Sequence, residues 1–205
     1  HVQVSKKINM YNQMAQVLMG YDENGNIRRF DEDGDLTGGT KMDEVFFINF
    51  ARLLTKDEIK KGSFSLELGV NELFNASKFD SRIKIADTNA QNDYRVNSPA
   101  GDYGILYAGE STSGNILHSN AQAGATTTKA GLIFYQAGIA VISASVFLQD
   151  TSGILHTDMD HTDMNAAENS VIDIMSGSAI SASCDALRQR MYNVQFNNTT
   201  ELNST

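Results

Sequence analysis

Gly131-Leu-Ile-Phe-Tyr-Gln-Ala-Gly-Ile-Ala-Val-Ile-Ser-Ala-Ser-Val-Phe147 is the longest apolar run in an otherwise polar, Asn- and Gly-rich chain, and the fold turns on how it is read. As a bilayer span it sits at the lower edge of the required length and is interrupted by Gln136, Ser143 and Ser145. Asp150 follows it, with no basic cluster on either side. Read as strands it is consistent. Leu132 to Tyr135 forms one run, Gln136-Ala137-Gly138 a turn, and Ile139 to Phe147 a second run. In the second run Ile139, Val141, Ser143, Ser145 and Phe147 share one face, and Ala140, Ile142, Ala144 and Val146 the other. Both faces are apolar or small, which predicts a central strand covered on both sides.

Working outward, the bulk properties narrow the function classes. The chain has 205 residues and a net charge of −9. That length buries a core without staples, and the charge argues against binding nucleic acid or anionic lipid unaided. Cys184 is the sole cysteine, so no internal disulfide forms, which fits completion in a reducing cytoplasm. It reads as a packing residue rather than a catalytic thiol, because no His lies near it in sequence. No apolar signal segment opens the chain, and both ends read as cut, so we expect a segment of a longer polypeptide.

Residues 7 to 19 place Met10, Met14, Val17 and Leu18 near helical spacing, predicting a Met-faced helix. From Tyr21 to Gly39 an Asn-Gly and an Asp-Gly pair stand nine residues apart, predicting two tight turns around a short strand at Ile27 to Phe30. Residues 45 to 54 read as a buried strand. Thr55 to Glu58 has capping-box spacing, predicting a helical turn or two over Lys56 to Lys61, closed by Gly62. Ser63 to Leu68 alternates, with Phe64, Leu66 and Leu68 on one face. Ile83 to Ile85, Tyr94 to Val96, Tyr103 to Tyr107 and Tyr192 to Phe196 complete the strand set, the last following a short helix at Asp185 to Met191. Two long polar segments, 109–130 and 149–170, frame the apolar run and read as interaction loops.

Chemistry is sparse. His156, Asp158, Asp160, His161 and Asp163 supply nitrogen and oxygen donors for a divalent cation, but the five-residue His spacing suits neither a helix face nor a paired-His hydrolase. A solvated acidic loop is the simpler reading. Asp31-Glu-Asp33-Gly34-Asp35 resembles the start of a calcium loop with its Gly two positions early and no closing Glu. A single stretch of this kind also does not make a tyrosine–aspartate repeat array. No phosphate loop and no nucleophile elbow occurs, Gly38-Gly39-Thr40-Lys41 lacking the upstream Gly. The carboxylates sit on turn tips. We therefore expect no enzyme, no catalytic residue and no cofactor.

The tracts Tyr21 to Gly39, Val45 to Leu54, Asp57 to Leu68, Asn97-Ser-Pro-Ala-Gly-Asp-Tyr-Gly-Ile-Leu-Tyr107, Gly131 to Phe147 and Cys184 to Thr205 resemble a family of large virion structural proteins. That family belongs to T4-like tailed phages, particularly those of marine and cyanobacterial hosts. The resemblance covers well over half of the chain and carries no catalytic motif. It implies a subunit of a tail or baseplate, made in the host cytoplasm and held by other virion proteins in a symmetric homo- or hetero-oligomeric assembly.

The expectation is a mainly β fold, β-sandwich-like or mixed α+β, with short helices and two long polar loops. Residues 1–20 would be a helical docking segment, with Met10, Met14 and Leu18 as its contact residues, and 21–205 a β-rich structural domain. Neither a membrane span nor direct nucleic-acid binding is expected. A receptor- or glycan-binding β module using the long loops is the competing reading, and a metal-dependent enzyme using His156, Asp158 and His161 the third.

Overall fold

A computed structural model describes residues 2–36, 38–69, 82–110, 129–144, 184–185, 187–188 and 191–200. Within them the chain is mainly β. Helix α1 (Val2–Leu18) precedes ten strands: β1 (Val45–Asn49), β2 (Glu58–Ile59), β3 (Ser65–Gly69), β4 (Arg82–Ala86), β5 (Tyr94–Arg95), β6 (Tyr103–Glu110), β7 (Lys129–Phe134), β8 (Ile139–Ser143), β9 (Met191–Gln195) and β10 (Asn198–Thr199). Eight of them form one antiparallel sheet of order β1-β8-β7-β6-β4-β3-β9, with β5 alongside β6; β10 and β2 pair separately.

The apolar run is the β7–β8 hairpin, whose two strands lie inside the sheet between β1 and β6. The turn closes where Gly138 N–H donates to Phe134 O (2.9 Å), with Gly138 at φ 65°. β8 is flanked by β1 and β7, and its residues alternate as expected: Ala140 and Ile142 enter one core, Val141 the other. Residues 145–147 of the run lie outside the described residues. Ala130 is an extra residue in β7, since Leu106 pairs Gly131 while Tyr107 pairs Lys129; this bulge bends the strand.

The sheet curls. Phe46, Phe50, Leu66, Leu68, Ile83, Ile85, Leu106 and Ile142 pack into one core, joined by Met191, Val194 and Phe196. That core contains residues from both ends of the strand order, and Phe50 meets Phe196 at 5.9 Å between ring centroids. The second core lies on the opposite face of β1, β8, β7 and β6. There Phe47, Tyr103, Ile105, Leu132, Phe134 and Val141 are covered by Ala15, Leu18, Met19, Phe30 and Met42. Each fully buried large side chain contributes about 1.5–3 kcal/mol.

Four local expectations need correction. The helical turn over Lys56 to Lys61 is instead β2, because Ile59 N–H donates to Tyr135 O (3.1 Å) and Lys60 N–H to Asn197 O (2.7 Å). Long-range pairing overrode the capping-box spacing. The strand from 45 to 54 ends at Asn49 and is followed by a 3-10 turn at Ala51–Leu53. The strand at Ile27 to Phe30 reduces to isolated bridges, Tyr21 with Ile27 and Asp31 with Lys41. The helix opens at Val2, five residues before the predicted start. The turns flanking that segment are present: Gly25 and Gly34 have φ of 83° and 69°. β6 reaches Glu110 and β7 begins at Lys129; the remainder of segment 109–130, and all of 149–170, lies outside the described residues. No helix among the described residues is long and apolar enough to cross a membrane.

Candidate interaction site

Helix α1 carries one apolar stripe, Val4, Ile8, Tyr11, Ala15 and Leu18, at alternating three- and four-residue steps. Its C-terminal half is spent on the chain's own core. Ala15 and Leu18 are fully buried, and the Tyr11 ring meets Phe30 edge-on at 5.4 Å. The Tyr11 hydroxyl donates to Met42 O (2.7 Å) and accepts from Phe30 N–H (3.2 Å), and burial pushes its pKa up. Ser98 Oγ donates to Leu18 O, tying the helix end to the loop before β6.

The N-terminal half of the stripe continues past the edge of the sheet. Val4 is 51% exposed and Ile8 55%. Beneath them runs a groove of about 700 Å³, lined by Val4, Lys7, Ile8 and Tyr11 of α1, by Glu44 to Ile48 along β1, and by Leu187, Arg188 and Met191. Two of its cations have partners within the chain, Arg29 with Asp43 and Arg188 with Asp185. Lys7, half-buried, has no ion pair among the described residues.

β1 forms the floor, and its backbone polarity follows from its pairing with β8. Ala144 N–H donates to Glu44 O and Phe50 N–H to Gly138 O, so even-numbered residues turn their peptide groups toward β8. Val45, Phe47 and Asn49 therefore turn theirs outward. Among the described residues no strand pairs with that outer edge.

The predicted contact residues divide. Met10 is 45% exposed and lines the groove; Met14 is half-buried against the second core. Leu18 lies wholly inside that core, so the docking role expected of it is corrected: it anchors the helix to the sheet. The sequence reading missed Val4 and Ile8, although their spacing from Tyr11 and Ala15 was there to be counted.

Of the two candidate cation clusters, His156, Asp158, Asp160, His161 and Asp163 lie outside the described residues. Asp31, Asp33 and Asp35 do come together, each with one carboxylate oxygen within 4.8 Å of the others. Two lysines offset part of their charge from within the chain: Lys41 pairs with the buried Asp31, and Lys129 stands 4.0 Å from Asp33. Burial pushes the Asp31 carboxyl up, while a hydrogen bond from Asp31 holds Asp33 down. Asp33 N–H donates to Asp31 Oδ1 (3.2 Å) and Asp35 N–H to Asp33 Oδ1 (3.3 Å), so these carboxylates also shape the turn. Cys184 is exposed beside the groove.

A second polar cluster lies near β2. Asp87 is buried and accepts from Gly62 N–H (2.7 Å), Phe64 N–H (3.0 Å) and the Tyr135 hydroxyl (3.1 Å). Lys61 stands 2.9 Å from Asp102 and lies over the rings of Tyr94 and Tyr135, at 5.0 and 5.3 Å from their centroids. These contacts fasten β2, β4 and the hairpin turn to one another. No protein-family model, no curated protein and no solved structure matches this chain.

Proposed function

We propose that this chain is a structural subunit of a tailed-phage virion, belonging to the tail or baseplate and acting through protein–protein contacts. The groove between α1 and the outer edge of β1 carries the reading. It is lined largely by apolar side chains and stands against a strand edge that no strand pairs with among the described residues, as surfaces completed by another protein do. The order of tracts resembling large virion structural proteins supports the particle assignment. At about 25 cal/mol per Å² of apolar surface covered, less the cost of ordering, filling such a groove stabilises an assembly appreciably.

The test is incorporation. The full-length protein carrying Ile8→Glu is supplied during infection and purified particles are examined by mass spectrometry. The variant is expected to fold, since Ile8 is exposed, and to be depleted from particles relative to wild type. Equal incorporation of the variant, or absence of the wild-type chain from particles, overturns the proposal.

A further inference from the structure

We infer that the side chains of Lys61 and Asp102 join into an intramolecular amide, with Glu58 carrying the protons and one water molecule released. The inference is independent of the particle assignment and adds a self-processing step that acts once per chain.

The first argument is geometry. Lys61 Nζ stands 2.9 Å from Asp102 Oδ2 and 3.9 Å from Glu58 Oε1. One amine thus meets an acid it can be joined to and a second acid able to move protons. Glu58 is 4% exposed, and the rings of Tyr94 and Tyr135 cover the ammonium at 5.0 and 5.3 Å. The backbone hangs both partners on one residue: Tyr135 N–H donates to Asp102 O and Ile59 N–H to Tyr135 O, each at 3.1 Å. Gln91 Nε2 donates to Lys61 O (2.9 Å) and Gly62 N–H to Asp87 Oδ2 (2.7 Å), which holds the stretch carrying the lysine. Groups fixed in this way react as if at very high concentration.

The second argument is energetic. Glu58, Asp87 and Asp102 all act on the Tyr135 hydroxyl, whose pKa is pushed up by burial and then by these charges. Lys61 is the cation that meets two of the three. A charge pair drawn out of water recovers little of its desolvation cost, whereas an amide has no charge to desolvate. Joining Lys61 to Asp102 removes one cation and one anion together and leaves the net charge unchanged. An ion pair alone needs neither the second acid nor the aromatic cover.

The step balances. Glu58 relays a proton from the Lys61 ammonium to the Asp102 carboxylate, giving a neutral amine and a neutral acid. The nitrogen lone pair then attacks Cγ of Asp102 and the N–C bond forms. Glu58 takes a second proton from that nitrogen and delivers it to the hydroxyl of the tetrahedral carbon. The C–O bond breaks, water departs on the side where Asp102 is 24% exposed, and Glu58 is again a carboxylate. The bond closes a covalent loop containing β3, β4 and β5 and ties the end of β2 to the start of β6.

The test uses the 205-residue chain, purified folded, then unfolded and weighed intact. Its mass is expected to fall short of the sequence mass by one water molecule, and digestion to yield a branched peptide joining Lys61 to Asp102. Lys61→Arg keeps the cation but cannot form the bond, so it should show its full sequence mass. Asp102→Asn should still react, releasing ammonia in place of water, and so arrive at the wild-type product mass. Glu58→Gln should stay at full mass while keeping a cooperative urea transition, and Glu58→Asp, which restores an acid, should recover part of the bond.

A wild-type chain at full sequence mass leaves Lys61 and Asp102 as an ion pair only and overturns the inference. A water loss that persists in Lys61→Arg belongs to a cyclised aspartate elsewhere and overturns it equally. Wild-type yield of the branched peptide in Glu58→Gln, or none in a folded Glu58→Asp, overturns the role given to Glu58. None of these readouts involves particles, so failure here and failure of the assembly reading are told apart.

Discussion

Asp87 shows what a single residue does here. Its two oxygens take three donors, from Gly62, Phe64 and Tyr135, in a site closed to solvent. An amide in its place turns an N–H₂ group toward one of those donors, so Asp87→Asn should cost about 1–3 kcal/mol in urea denaturation. Burial raises the Asp87 pKa above that of the unfolded chain despite these hydrogen bonds. The folded state therefore holds this proton to higher pH than the unfolded state does. The stability linked to it is fully present below the unfolded carboxylate range and is lost as pH rises through the folded pKa. The stability gap between wild type and Asp87→Asn should accordingly widen on acidification toward pH ~4. A gap that narrows instead would show that the donors outweigh burial. Gly131 is a second sensitive position. A Cβ there is driven into the Val141 carbonyl oxygen of the neighbouring strand, so Gly131→Ala should cost on the order of 3 kcal/mol by the same measurement.

At the scale of elements, α1 divides into a half that holds the fold and a half that faces outward. Leu18→Ala should lower stability by about 2–5 kcal/mol, whereas Val4→Ala should stay within about 0.5 kcal/mol of wild type. Comparable losses at both positions would mean that the N-terminal half is packed as tightly as the C-terminal half. The elements also show what could be read in advance. The β7–β8 hairpin was legible because its alternation and its Gly138 turn are local signals, and the same holds for β3, with Leu66 and Leu68 on one face. β2 was not, since its partner Asn198–Thr199 lies far along the chain and no window around Glu58 contains it. The bridges at Tyr21 and Asp31 replaced a strand for a local reason: each turn closes on its own Asp, Asp22 Oδ1 accepting from Asn24 and Asn26 N–H and Asp31 Oδ1 from Asp33 N–H.

For the whole molecule, two cores on opposite faces of one curled sheet make α1 part of the structural unit rather than a detachable arm. Deleting residues 1–20 removes Ala15, Leu18 and Met19 from above Phe30, Phe134 and Tyr103. The shortened chain should bind a hydrophobic dye and lose the sharp urea transition of the full chain; a cooperative transition with no dye binding would restore the picture of a separate docking segment. The candidate site itself was not legible from sequence. Val4, Ile8 and Lys7 could be placed on one helix face, but the groove exists only because the sheet bends far enough to bring Met191 toward β1.

The Asp87 cluster also bears on the time course of folding. Its three bonds join residues 25, 23 and 48 positions apart, so each closes a loop that must first be gathered. Contacts of that span, meeting at one buried carboxylate, are expected to be completed late on the way to the native state. Asp87→Asn should then leave the refolding rate nearly unchanged and put its cost into faster unfolding, a division that the two arms of a denaturant chevron read separately.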